Sequence, residues 1–220
     1  MMATLLMRIC GPMQSWGTRS HFSHRDTERE PTKSGIIGLL GAALGRPRGA
    51  DITDLRALRM AVRSDRAGEI ICDFHTAGAD GAYLVRGRVD RKDVVVFKRF
   101  YLADAKFLVG LEGERSLLTK LQAALKRPVW PLFLGRKSCP PAERLWLPDG
   151  LQDTDLVSAL SAYPSLDTHG PQSEYLRLLI EDDMGDIERN DQPVPFQPRH
   201  FIPRRLCSLL VPNPVYEKED

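Results

Sequence analysis

From residue 3 to residue 126 the apolar segments come in one order: strand, helix, strand, strand, insertion, strand, helix. Residues 3–10 alternate as a half-buried strand does, and 58–62, 69–75 and 100–111 have the apolar density of further strands. A helix is predicted at 33–45, with Thr32 or Ser34 as its N-cap and Gly45 followed by Pro47 as its stop. Another is predicted at 114–126, where Leu117, Leu118, Leu121 and Leu125 keep helical spacing ahead of Pro128. This order is that of an α+β chain with a ferredoxin-like or modified RNA-recognition-motif sheet and helices on one face. The insertion, 83–99, reads as a basic hairpin turning near 90–92 and carrying Arg86, Arg88, Arg91, Lys92, Lys98 and Arg99. Further on, a short helix near 153–162 and strands near 175–181 and 205–211 predict a small β-rich C-terminal subdomain, dividing the chain into 1–148 and 149–220. Four prolines between 190 and 203 mark a surface loop.

Within the first helix Gly38, Gly41 and Gly45 share a face with Ala42. Each glycine costs a helix roughly 1 kcal/mol relative to alanine, so close packing on a sheet is the expected compensation.

The net charge of +2 hides a division. Residues 1–148 carry 25 Lys and Arg against 15 Asp and Glu, whereas 149–191 carry 2 against 11. The basic body suits a polyanion; the acidic stretch either turns away from it or docks on a basic neighbour. With 42% hydrophobic and 27% charged residues, the chain is neither disordered nor collagen-like. Its longest small-apolar run, 35–45, is about half of a membrane-spanning helix, and no basic leader precedes the apolar N-terminus, so a cytoplasmic protein with no membrane contact is expected. Cys10, Cys72, Cys139 and Cys207 lie more than sixty residues apart, which suits reduced thiols better than a zinc site or a dithiol.

Lys33-Ser34 at the start of a glycine-containing helix suggests a phosphate loop, but Thr27 and Thr32 stand where a Walker A motif needs glycine. What remains is either a helix N-terminus able to hold one phosphate or a plain N-cap. His21, His24, His75, His169 and His200 form no diagnostic cluster. A His21-His24-Cys10 metal site is a remote option, and metal-free RNA cleavage would use His21, His24 or His75 as base with Lys33 or Lys137 stabilising the phosphorane. A stronger pattern is the interleaving of basic side chains with Trp16, Phe97, Phe100 and Tyr101, since single-stranded nucleic acid needs cations for phosphates and flat rings for bases. Core packing is the competing reading for Phe100 and Tyr101. Trp16, in a Gly-Pro loop beside Gln14 and Ser15, reads as exposed.

Four blocks carry a resemblance. They are Gly11-Pro12-Met13-Gln14-Ser15-Trp16-Gly17, Pro31-Thr32-Lys33-Ser34-Gly35-Ile36-Ile37-Gly38-Leu39-Leu40, Tyr101-Leu102-Ala103-Asp104-Ala105 and Pro131-Leu132-Phe133-Leu134-Gly135-Arg136-Lys137-Ser138-Cys139-Pro140-Pro141. In that order they resemble the CasD family of subunits of the type I-E CRISPR Cascade surveillance complex. The resemblance implies a repeat-associated RNA-binding fold with a thumb hairpin, near 77–100 here. It also implies a non-catalytic protein without cofactor or metal that caps the 5′ handle of the guide crRNA. Its partners would be that RNA, the large subunit and a backbone subunit, with no homo-oligomer in the complex. Handle contacts map onto Gln14, Ser15, Trp16, Gly17, Lys33, Ser34, Arg136, Lys137 and Ser138, and further onto Arg25, Arg99 and Tyr101. Type I-C relatives cut the repeat, so a metal-independent endoribonuclease is the alternative. A third reading is a protein-interaction module whose basic face docks on acidic partners.

Overall fold

A computed structural model describes residues 2–18, 24–78, 94–170 and 173–214. His21 and the expected hairpin tip with Arg86, Arg88, Arg91 and Lys92 lie outside the described residues. In chain order the elements are β1 (Met2–Cys10), β2 (Met13–Gln14), β3 (His24–Arg25), α1 (Lys33–Leu44), α2 (Thr53–Arg56), β4 (Arg59–Arg66), β5 (Glu69–Gly78), β6 (Val94–Ala103) and β7 (Lys106–Glu114). Then follow α3 (Arg115–Lys126), β8 (Trp146–Gln152), α4 (Leu156–Ala162), β9 (Tyr175–Glu181), β10 (Ile187–Phe196) and β11 (Arg199–Pro212).

Seven strands form one sheet in the order β10-β11-β9-β4-β7-β1-β8, every neighbouring pair antiparallel. Helices cover both of its faces, not one. Leu5, Met7 and Ile9 of β1 and Phe107 and Val109 of β7 pack with Ile36, Ile37 and Leu40 of α1 and Leu118 and Leu121 of α3. Leu6, Ala61 and Leu108 point the other way, into a second core with Leu156 and Leu160 of α4 and Leu178 of β9. Burial on both sides explains why Leu5, Leu6 and Met7 of β1 and Phe107, Leu108 and Val109 of β7 run apolar without alternation, as strands covered on two faces do.

The expected boundary at 148/149 falls inside β8, and the strands beyond it are hydrogen-bonded into the same sheet, β9 pairing with β4 from Ala61↔Ile180 to Ser64↔Arg177. The loop expected at 190–203 is instead the β10–β11 hairpin. Pro193 and Pro195 are tolerated because β10 is the sheet's edge and its ladder is interrupted between Arg189 and Gln192 and again between Pro193 and Phe196.

α1 begins and ends as its caps predict. Thr32 is the N-cap, its hydroxyl accepting from the Gly35 N–H, and Gly45 closes the helix at φ 72°. The expected tight packing of the glycine face on the sheet is not found: a Cβ at Gly41 would meet no atom within 4 Å, one at Gly38 only Phe196 at 3.8 Å, and one at Gly45 would meet Val129, outside the sheet, at 2.9 Å. Close approach occurs elsewhere, at Gly110 of β7, where a Cβ would stand 2.6 Å from Leu156 of α4, and at Gly35, where it would stand 2.7 Å from the Trp16 ring.

A smaller sheet holds β2, β3, β5 and β6. β6 pairs with β5 in unbroken register from Glu69↔Ala103 to Gly78↔Val94, so 73–78 is a partner of the basic segment 94–99, while the expected partner 83–89 lies outside the described residues. This hairpin joins the large sheet through two adjacent turns. Gly68 takes φ 69° in one and Asp104 φ 54° in the other, and a Cβ on Gly68 would be 2.4 Å from the Ala103 carbonyl.

Candidate nucleic-acid interface

The 11–17 loop is fastened on all sides. Gln14 is fully buried; its amide donates to the Ala105 carbonyl at 2.8 Å and its Oε1 accepts from the Trp16 indole N–H at 3.0 Å. Ser15 donates its hydroxyl to the Phe100 carbonyl and its backbone N–H to the Leu134 carbonyl. Trp16, 1% exposed, lies in the main core against Gly35. These placements correct three expectations: the Trp16 ring offers no face to a base, and the polar groups of Gln14 and Ser15 are engaged within the chain. Gly17 is exposed.

Lys33 is corrected in the same way. Its ammonium is buried and donates to both oxygens of Glu181, at 2.8 and 3.0 Å. Burial pushes it below its ordinary value of 10.5, against the pull of Glu181. The Lys33 backbone N–H donates to Asp191 Oδ2 at 2.8 Å, so a carboxylate of the same chain takes the place expected for a phosphate at the start of α1. Asp191 is in turn gripped by Arg204 through Nε at 2.6 Å and Nη2 at 3.0 Å. Ser34 is half-buried in the first turn, its hydroxyl 3.4 Å from that of Thr32. The sequence held no local sign of this network, because 158 residues separate Lys33 from Asp191.

Arg136 acts as a clasp. Its guanidinium donates to the carbonyls of Phe100, Arg25 and Asp26 at 3.0 to 3.2 Å and lies 4.8 Å from the centre of the Tyr101 ring, which is buried beneath it. The turn that carries it depends on Gly135 at φ 85°, where any Cβ would overlap the Ser15 carbonyl. Lys137 and Ser138, at the tip of that turn, are exposed.

What remains open to solvent is the small sheet. β3 lies parallel to β6 with Arg25 opposite Arg99, and directly paired residues share a face. Arg25 and Arg99 are exposed and have no carboxylate partner among the described residues. Asp73 stands opposite Arg99, and His75 Nε2 lies 2.6 Å from Asp73 Oδ2 on the same face, next to Phe97. The other face carries His24, packed on Phe100 with ring centres 5.1 Å apart, together with Lys98, Ile70, Phe74 and Val96. Phe74 is 61% exposed. Of the remote metal option, Cys10 is buried in the core, His24 packs on Phe100 and His21 lies outside the described residues; among the described residues no group of three or more His, Cys, Asp or Glu could hold a metal ion.

Residues 4–207 match the family described as CRISPR-associated protein (Cas_Cas5). The chain belongs to this family. It is 35% identical over 179 residues to the CRISPR system Cascade subunit CasD of Escherichia coli (strain K12), covering 74% of this chain and 78% of that one. Among solved structures it is similar to a Cas protein in a crystal structure (48% identity, TM-score 0.78, 96% of this chain and 95% of that one). It is also similar to a chain of a CRISPR RNA-guided surveillance complex (32% identity, TM-score 0.80, 96% and 91%). The homology identifies the chain as a Cascade-type subunit. Among the described residues no helix is long and apolar enough to cross a membrane.

Proposed function

We propose that this chain is the non-catalytic subunit that holds the 5′ handle of the guide RNA in a type I-E surveillance complex, beside the large subunit and a backbone subunit. The observation that carries the reading is the pairing of Arg25 with Arg99 on the open face of the small sheet, two exposed cations side by side without an ion-paired carboxylate among the described residues. Arg136 binds the Lys137–Ser138 turn to the same segment, bringing a further exposed cation and hydroxyl to its border. The β5–β6 hairpin fits the role of the thumb, and its apolar outer face, with Ile70, Phe74 and Val96, fits contact with a neighbouring subunit. Single-stranded RNA leaves base edges and 2′-hydroxyls free, so recognition here would combine phosphate pairing by the arginines with contacts from Ser138 and the backbone around Gly17.

Repeat-derived RNA carrying the handle, beside a scrambled control, is run on native and denaturing gels from one reaction. A handle-specific shift of intact RNA is expected. The Arg25→Ala/Arg99→Ala pair should weaken it and lower the log–log salt slope by about 1.4, at about 0.7 per phosphate contact on a single strand. An unchanged slope overturns the assignment of this face.

One observation favours a second reading, cleavage of the repeat. His75, its Nε2 2.6 Å from Asp73 Oδ2, and the neighbouring Arg99 supply two elements of a metal-free site: a candidate base and a cation for the phosphorane. RNA cut in EDTA by the parent chain but not by His75→Ala would select it.

A further inference from the structure

α3 ends at Lys126 beside β8, the strand at the opposite edge of the large sheet from β10. There two cations share one ring. Lys126 Nζ lies 5.1 Å and the Arg144 guanidinium carbon 5.5 Å from the centre of the Trp146 indole, which is half-buried at the start of β8. Arg127 is exposed next to Lys126. None of these three cations has an ion pair or hydrogen-bonded acceptor among the described residues, and the nearby carboxylate of Glu143 is taken by Arg8. A cation in the last turn of a helix complements the macrodipole, which accounts for Lys126 but not for Arg144. The indole attracts both charges through its electron-rich ring, while no carboxylate among the described residues compensates their mutual repulsion.

We propose that the Lys126, Arg127, Arg144 and Trp146 cluster is a second phosphodiester-binding surface, independent of sequence and separate from the handle face. The indole is a positioning residue that fixes the cations, and the cations take successive phosphates of a nucleic-acid strand. Phosphate chemistry fits this cluster because none of its three cations has an acidic partner among the described residues, and nucleic-acid contacts are rich in positive charge.

The test uses the full chain with labelled oligouridylate and oligodeoxythymidylate, neither containing handle sequence, and reads anisotropy across a salt series together with tryptophan emission. Lys126→Ala/Arg144→Ala should weaken binding about tenfold at low salt and lower the log–log salt slope by about 1.4. Its melting temperature should stay at the parental value, since both side chains are exposed. Trp146→Phe should weaken binding less while abolishing the change in emission on binding. Binding of both probes identifies the phosphodiester backbone as the ligand; binding of one alone assigns the surface to RNA or to DNA. An unchanged slope in the double variant overturns the proposal, as does equal loss of polyglutamate binding, which would make this a docking surface for an acidic protein. Handle-specific binding should survive the double variant, and its absence from the parent chain would count against the handle reading alone.

Discussion

The indole of Trp16 is held from three directions, by Gln14 through its N–H, by Gly35 against its ring and by Thr27 at its backbone N–H. Trp16→Ala should therefore cost about 3–5 kcal/mol of stability by denaturant unfolding, as large-to-small changes of buried aromatic residues do. The salt slope of RNA binding by the folded protein should not change. Loss of RNA affinity at unaltered stability would return the ring to the RNA. Exposure is what the sequence conceals at this position. A tryptophan between Gly-Pro and Gly looks stranded in a loop, but the residues that bury it arrive from α1 and from the 134–139 turn. Arg25 and Arg99 were legible as cations, yet their pairing depends on β3 lying parallel to β6, which two isolated residues cannot signal.

Among the elements, those decided by their own neighbours were legible. Thr32, Gly45 and Pro47 bound α1, and the leucine spacing of α3 marks its buried face. Pairings decided by distant partners were not: β10 carries prolines that an edge strand accepts and a central strand would not, and β5, itself expected as a strand over 69–75, finds β6 across 79–93. The β5–β6 hairpin also has a stability gradient. Ile71↔Tyr101 lies near its fastened base, whereas Thr76↔Val96 has solvent-exposed side chains on both strands. Amide hydrogen exchange should be faster at Thr76 and Val96 than at Ile71 and Tyr101, because local opening there breaks few buried contacts. Handle RNA, if it lies on this face, should slow exchange at Phe97 and Arg99 before it affects the base.

Across the whole molecule the charge division resolves into internal docking. The acidic stretch meets the basic body at Glu181 with Lys33, at Asp191 with α1, and at Asp167 with Arg66 and Lys106. The Arg66 guanidinium, helped by Lys106 and opposed by burial, holds Asp167 below its ordinary value of 3.8. Its contribution is therefore complete above that value and is lost as pH falls through the lower folded value. Stability measured by thermal melting should drop from about pH 4 downward, and Asp167→Asn should be less stable at neutral pH but flatter across the acid limb, by up to about 1.4 kcal/mol per pH unit for one proton. An identical acid limb in the variant would assign the loss to other carboxylates. The interlocked turns at Gly68 and Asp104 have a different kind of consequence. Because the hairpin is clamped where it leaves the large sheet, its far end is mechanically insulated from β4 and β7. Loops of other length and composition grafted between residues 78 and 94 should therefore leave the melting temperature of the body at its parental value, whatever neighbour they reach.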